Sequence, residues 1–198
     1  MDLLQKWSGN FFDLDTVSRF IKVVPEEKEH DKRVHELFIT WIFAKFLSYL
    51  HKKIFWIGLP TYTEPESTSL NDYVFKERLI DEEFDTILID KDEPEHPIYF
   101  QIKRFRDDRS VNTKRLFDYI VSKVKLYGKD EKLNIIFDIQ APLIALNFKE
   151  FKVYLENSSF DVGGIFIFWR KGDPPEQIPF IMSVYPIFDG IPWVPGGS

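Results

Sequence analysis

FDTILID-KDEPEH-PIYFQIKRF, residues 84–105, contains two apolar segments separated by six polar or turn-favouring residues. Both segments are rich in β-branched and aromatic residues, which strands favour. The stretch therefore predicts a β-hairpin with a longer loop. Its second strand carries Gln101 and Lys103 at positions where a buried strand favours Val or Ile.

Polar side chains gather at one end of this predicted hairpin. Gln101 and Lys103 share one face of their strand because side chains alternate. If Asp90 and Pro97 flank the loop as near-partners, Asp85 lies opposite residue 101, 102 or 103, where paired Cβ atoms are about 4.5 to 5.5 Å apart. Burying such groups without partners is costly, so we expect them to bind each other, water or a ligand.

These three side chains offer a defined set of chemical groups. Carboxylate and amide oxygens, from Asp85 and Gln101, suit a hard divalent cation such as Mg²⁺. An adjacent ammonium can position a water molecule on the cation or neutralise a phosphate. The set therefore favours phosphodiester hydrolysis. A cross-strand ion pair between Asp85 and Lys103, with Gln101 bonded to the backbone, is the structural alternative.

The segments around the hairpin predict an α/β fold with a mixed sheet. We expect one domain with an accessory helical segment at 1–24, a core at 25–140, C-terminal additions at 141–190 and a flexible tail at 191–198. Asp15 is a candidate cap for the first helix. The other predicted elements are a helix over 25–51, strands over 53–59 and 72–80, the hairpin, a helix over 112–127, a strand over 132–139, a helix over 147–157, and strands over 163–170 and 178–188.

Composition excludes several classes of protein. There is no cysteine, and the four histidines lack a close ligand spacing, so zinc is not expected. The chain starts without a basic segment before an apolar one, so no secretory signal is expected. The longest apolar run, 37–50, is 14 residues and contains Lys45, which suits a buried helix better than a membrane span. We expect a cytoplasmic protein without a membrane partner.

Charge is distributed unevenly along the chain, whose formal net charge is −6. Residues 81–96 hold eight acids and one Lys, whereas residues 103–125 hold eight Lys and Arg and three Asp. A local basic face on an acidic body suits an anionic ligand at one place. An ordinary solvated helix face is the alternative.

An Asp followed on the next strand by (Asp/Glu/Gln)-x-Lys resembles the motif of the PD-(D/E)xK nuclease superfamily. YFQIKRF is similar to the Q-x-K form found in Mrr-type restriction endonuclease domains. The resemblance covers about residues 30–140. It implies a restriction endonuclease-like αβββαβ core, with a mixed sheet flanked by helices, N-terminal helical and C-terminal β additions, and Mg-dependent nuclease activity.

The resemblance implies a role for each residue of the motif. Asp85 and Gln101 would be metal ligands, with the carbonyl of Ile102 as a further ligand. Lys103 would be the catalytic lysine, and the cofactor would be Mg²⁺ (or Mn²⁺).

Such domains often add a glutamate from the first helix, and Glu36 in VHELFITW is similar to that residue. Glu29 competes for the role, and a lone helical Glu is often only surface charge. Two departures stand out. No Pro precedes Asp85, and Gln101 brings one negative charge less to a metal than Glu would.

Basic residues run from the lysine strand into the following helix, where they could hold phosphates beside the metal. The resemblance implies DNA as substrate ahead of RNA. The sequence contains no separable recognition motif, so a second copy of the chain or a partner protein would supply target recognition. The basic residues are Arg104, Arg106, Arg109, Lys114 and Arg115.

Two other classes of function stay open. The chain could be a nuclease-like fold that binds nucleic acid or assembles with protein without catalysis. It could also be an unrelated α/β domain that binds protein through an aromatic-rich surface. The sequence contains no GxSxG, P-loop or GxGxxG motif, which disfavours nucleophilic hydrolases, nucleotide hydrolysis and dinucleotide binding.

Overall fold

A computed structural model of the protein describes residues 11–24, 31–59, 70, 74, 84–106, 111–127, 130–141, 144–171 and 178–186. Within these ranges the chain has the predicted α/β class, with four helices and a seven-stranded mixed sheet. The helices are α1 Leu14–Val23, α2 Lys32–His51, α3 Thr113–Tyr127 and α4 Phe148–Glu156. The strands are β1 Phe11–Asp13, β2 Phe55–Gly58, β3 Thr86–Asp90, β4 Ile98–Arg106, β5 Val111–Asn112, β6 Asp130–Gln140, β7 Ile144–Ala145, β8 Val162–Lys171 and β9 Ile178–Tyr185.

The sheet has the strand order β1-β2-β3-β4-β6-β8-β9. Its pairing is mixed: β2 is antiparallel to β3 and β8 to β9, whereas β6 is parallel to β8. Parallel neighbours need a long crossover, and α4 lies in the one between β6 and β8. The two-residue strands β5 and β7 form a separate parallel pair.

The chain divides into two compact units, Met1–Tyr99 and Phe100–Ser198. That it is a single domain stays a prediction. Some predicted features lie outside the described residues: the helix start at Pro25, the rest of the strand over 72–80, the glycine stop at Gly128 and the tail at 191–198. The strand prediction is wrong at Val74, the described residue of that segment, which is helical.

In the first unit, α1 and α2 begin at aspartate caps. The Asp13 carboxylate accepts a hydrogen bond from the Thr16 N–H at 2.7 Å, and this bond lowers the pKa of Asp13. The prediction that Asp15 is the cap is wrong, because β1 already ends at Asp13 and Asp15 lies in the first helical turn. Asp31 caps α2 through the Arg33 N–H at 2.8 Å. Nine of the twenty residues of α2 are buried, and seven of these nine are apolar.

In the second unit, α3 and α4 contribute to an apolar core with alternate residues of β6 and β8. Ile135, Phe137 and Ile139 of β6 point into this core. Phe105 of β4 joins them, with its ring centroid 4.7 Å from that of Tyr119 on α3. Alternation therefore fixes which residues of these strands lie on the opposite face.

Candidate functional site

Glu36 is a buried acid on α2. It lies on one helical stripe with Lys32 and Thr40, because residues four apart are neighbours on a helix. Only 7% of Glu36 is exposed. A carboxylate at such burial needs a charged or hydrogen-bonding partner, and Lys32 Nζ lies 3.4 Å from Glu36 Oε1.

Asp85 lies at a bend directly before β3, and 10% of its side chain is exposed. Lys32 Nζ is 4.0 Å from Asp85 Oδ1. The same ammonium therefore lies beside both carboxylates, although the Lys32 side chain itself is 63% exposed. The structure thus brings Glu36 and Asp85 together, two residues separated by about a quarter of the chain.

A pair of buried threonines joins α2 to the start of β3 beside these acids. Thr40 Oγ1 donates to the carbonyl of Glu36 at 2.8 Å, and Thr86 Oγ1 lies 2.9 Å from Thr40 Oγ1. Because Thr40 has already used its one hydroxyl proton, Thr86 donates in the second bond. Both threonines are fully buried. The pair holds the Glu36 turn of α2 against the residue that follows Asp85.

A cation site needs negatively charged oxygens that can face one cation. The Glu36 and Asp85 carboxylates meet this requirement, since the Lys32 ammonium already lies beside both. Within the described ranges, no group of three or more His, Asp or Glu could hold a metal ion. A divalent cation at these two acids would therefore take its remaining ligands from amide or backbone oxygens or from water, as Mg²⁺ commonly does.

Gln101 and Lys103 lie on β4 and share one of its faces, with Phe105 on the same side. Gln101 is 6% exposed and Lys103 is half-buried. Ile102 lies on the opposite face and is buried. A buried amide next to a half-buried amine on one strand is the arrangement that the sequence predicts for this segment.

The basic residues predicted to hold phosphates occupy different positions. Arg104 and Arg106 lie on the face of β4 opposite to Lys103, where they contact β6. Lys114 and Arg115 are exposed in the first turn of α3, and Lys114 Nζ lies 2.7 Å from Asp118 Oδ1. Arg109 lies outside the described residues, as does Glu29, the competitor of Glu36.

Sequence reasoning missed two charged residues near these sites. Lys32 precedes Glu36 by four positions, a spacing that signals a helical ion pair. Asp138 interrupts the apolar strand KLNIIFDI, the same kind of signal that singled out Gln101. In the structure it is 1% exposed and pairs with Arg104.

A search of protein-family models, curated proteins and solved structures finds no match to this chain. Among the described residues, no helix is both long and apolar enough to cross a bilayer.

Proposed function

We propose that this protein is a metal-dependent endonuclease that hydrolyses phosphodiester bonds in DNA. The observation that carries the proposal is the pair formed by the buried Glu36 and the partly buried Asp85, whose carboxylates both lie within 4.0 Å of one ammonium group. They are the two acids to which the PD-(D/E)xK resemblance assigns metal binding. The element order α2, β2, β3, β4, α3, β6 supports it further, since it is the αβββαβ order of that fold apart from the short β5 and the helical residues Leu70 and Val74 between β2 and β3.

In this proposal Glu36 and Asp85 hold Mg²⁺ (or Mn²⁺) with their carboxylates. The Gln101 amide oxygen and the Ile102 carbonyl are the further protein ligands. The cation neutralises phosphate charge and lowers the pKa of water when it is bound. Lys103 places an ammonium beside the phosphate and stabilises the negative charge that develops on its oxygens.

Nicking of supercoiled plasmid DNA tests the proposal. Purified protein with Mg²⁺ or Mn²⁺ should convert supercoiled DNA to open-circular and linear forms. Asp85→Ala removes a metal ligand and Lys103→Ala removes the catalytic ammonium, so each should lower the nicking rate by about a hundredfold or more.

Two surface substitutions match these changes in charge. Asp92→Ala and Lys91→Ala remove the same groups from the exposed turn between β3 and β4 and should leave nicking unchanged. Circular dichroism would establish that all four variants are folded. Full activity in both Asp85→Ala and Lys103→Ala would refute the proposed site.

The second candidate is a non-catalytic nuclease-like module that binds nucleic acid or assembles with protein. The position of Lys32 favours it, because its ammonium offsets part of the negative charge of Glu36 and Asp85 without any metal. The neutral Gln101 also favours it. DNA binding without nicking in either Mg²⁺ or Mn²⁺ would support this candidate over the first.

A further inference from the structure

Asp138 of β6 is a buried carboxylate that the proposed nuclease site does not use. Only 1% of it is exposed. Its Oδ2 accepts a hydrogen bond from Gln140 Nε2 at 2.7 Å and lies 3.5 Å from Arg104 Nε. A charge at this depth is costly unless it is paired and hydrogen-bonded. Asp138 is therefore the central residue of a polar cluster in the second unit, in contact with both Gln140 and Arg104.

The cluster extends to the surface through Gln140. Its Oε1 accepts a hydrogen bond from Arg106 Nε at 3.1 Å. Gln140 thus donates to the buried carboxylate with its amide nitrogen and orients Arg106 with its amide oxygen. Arg106 is exposed, and 27% of the Arg104 side chain is exposed. Two guanidinium groups are therefore held in place by one buried acid.

Arg170 of β8 brings a third guanidinium to the same face. In the parallel register, Asp138 pairs with Phe168 and Ile139 pairs with Trp169. Gln140 and Arg170 are the next residues of their strands. Paired residues of neighbouring strands point to the same side of a sheet, so Arg170 lies beside Gln140 on the Asp138 face.

On the Asp138 face of the sheet, β8 passes from the buried core to the surface over two residues. Phe168, the neighbour of Arg170 on the same side of β8, is fully buried, whereas Arg170 is half-buried. The arginines therefore lie at the rim of the core, where their aliphatic stems can pack while the guanidinium groups reach water. Arg104 pairs with Asp138, and Arg106 and Arg170 bring two further guanidinium groups to this rim.

We propose that Arg104, Arg106 and Arg170 form a binding site for the phosphodiester backbone of DNA, on the face of β4 opposite to Gln101 and Lys103. A guanidinium is planar and presents donors that match phosphate oxygens in pairs, and the Asp138–Gln140 cluster orients two of them in advance. Contacts of this kind position a nucleic acid without selecting its sequence.

The site deepens the proposed function, since its ligand is the substrate of the proposed nuclease, but binding requires no metal. Arg106 and Lys103 are three residues apart, about 10 Å along an extended strand. A DNA strand rises about 3.4 Å per nucleotide. Three nucleotides therefore match the separation of Arg106 and Lys103 along the axis of β4.

Fluorescence anisotropy with a short fluorescein-labelled duplex, measured in EDTA, tests the site. The double variant Arg106→Ala/Arg170→Ala should bind about tenfold more weakly. The slope of log K against log salt concentration is negative, and its magnitude should decrease by about 2. Arg104 is kept in this variant, because it pairs with the buried Asp138 and its loss could destabilise the fold.

Lys149→Ala/Lys152→Ala is the matched control. It removes the same charge from exposed positions on α4 of the same unit and should bind DNA within about twofold of the unmodified chain. Arg106→Lys/Arg170→Lys keeps the charge but loses the planar fork, so its affinity should lie between those of the alanine variant and the unmodified chain.

Each outcome separates this inference from the proposed nuclease activity. Unchanged binding in the arginine variant would overturn the site, and so would an equal loss in the lysine control, since net charge would then be sufficient. Weakened binding in the arginine variant alone would support the site even if the protein nicks no DNA. Normal nicking with unchanged binding would leave the nuclease proposal intact and overturn the site.

Discussion

At the scale of single residues, the Lys32 ammonium offsets part of the negative charge of Glu36 and Asp85. Its ammonium lies 3.4 Å from one carboxylate and 4.0 Å from the other. A divalent cation at these acids competes with this ammonium. Lys32→Met keeps the aliphatic stem and removes the charge, so Mn²⁺ should bind roughly fivefold more tightly, the effect expected of one partly exposed charge.

Electron paramagnetic resonance of free Mn²⁺ measures this affinity without any need for catalysis. Lys22→Met removes an exposed charge from the last turn of α1 and is the matched control, with no expected change in affinity. Equal Mn²⁺ affinity in Lys32→Met and the unmodified chain would contradict the competition. Loss of Mn²⁺ binding in Glu36→Gln would separately support the role of that carboxylate.

Residue-level reasoning located the polar groups of β4 but missed Lys32. Gln101 is conspicuous in the sequence because an amide interrupts an apolar strand, and the structure buries it. Lys32 lies in a charged segment that resembles any helix start. Its relation to Asp85 depends on how α2 meets β3, which no local pattern encodes. Arg104 and Lys103 are adjacent in sequence, but alternation puts them on opposite faces.

At the scale of elements, the contact between α2 and β3 depends on the bonded pair Thr40 and Thr86. Thr40→Val preserves shape but leaves the buried Thr86 hydroxyl without its acceptor, and the Glu36 carbonyl loses a donor. An unsatisfied buried polar group costs about 1 to 3 kcal/mol, so the free energy of unfolding should fall by about that amount. Urea unfolding followed by circular dichroism measures the change.

Thr86→Val provides an internal comparison for this contact. In that variant the Thr40 hydroxyl still donates to the Glu36 carbonyl, so fewer groups lose a partner and the loss of stability should be smaller. Replacing both threonines should cost less than the sum of the two single changes, since a fully apolar pair leaves neither hydroxyl unsatisfied. Strict additivity would mean that the two hydroxyls do not interact.

The elements that the sequence predicted are those with sustained periodicity. The hairpin strands, α3, β6, α4 and the final strand pair all appear near their predicted positions. The three shortest strands, β1, β5 and β7, were missed, because two or three residues cannot display alternation. The error at the α1 cap has a related cause: Asp13 and Asp15 are both suitable caps, and only the end of β1 decides between them.

At the scale of the whole molecule, the α/β class could be predicted because strand-like and helix-like segments alternate along the chain. The mixed sheet also follows, since the chain contains both a hairpin and helix-containing crossovers. The strand order requires knowledge of which strands neighbour each other. The charge pattern likewise indicated a basic region, yet the structure orients part of it inward, where Arg104 pairs with the buried Asp138.

The stability of the whole chain in acid should report on Asp90 at the end of β3. Lys53 Nζ lies 2.6 Å from Asp90 Oδ2, and this bond holds the pKa of Asp90 below its ordinary value. The same contact raises the pKa of Lys53, so the lysine stays charged throughout acid titration. Because the carboxyl has a lower pKa in the folded chain, the pair stabilises the fold above the unfolded pKa of about 3.9. That stabilisation is lost as the pH falls through the folded pKa.

Asp90→Asn should therefore lower the free energy of unfolding most near neutral pH, and its deficit should shrink below about pH 4. Urea unfolding between about pH 3 and pH 7 measures the difference between the two proteins at each pH. Asp118→Asn makes the same change in charge at an exposed position of α3, and its smaller effect should come from a surface ion pair alone. A deficit in Asp90→Asn that stays constant over the whole range would contradict an electrostatic origin. It would instead assign the loss to packing of the Asn side chain, since its amide oxygen can still accept the hydrogen bond that Asp90 Oδ1 accepts from the Asp92 N–H.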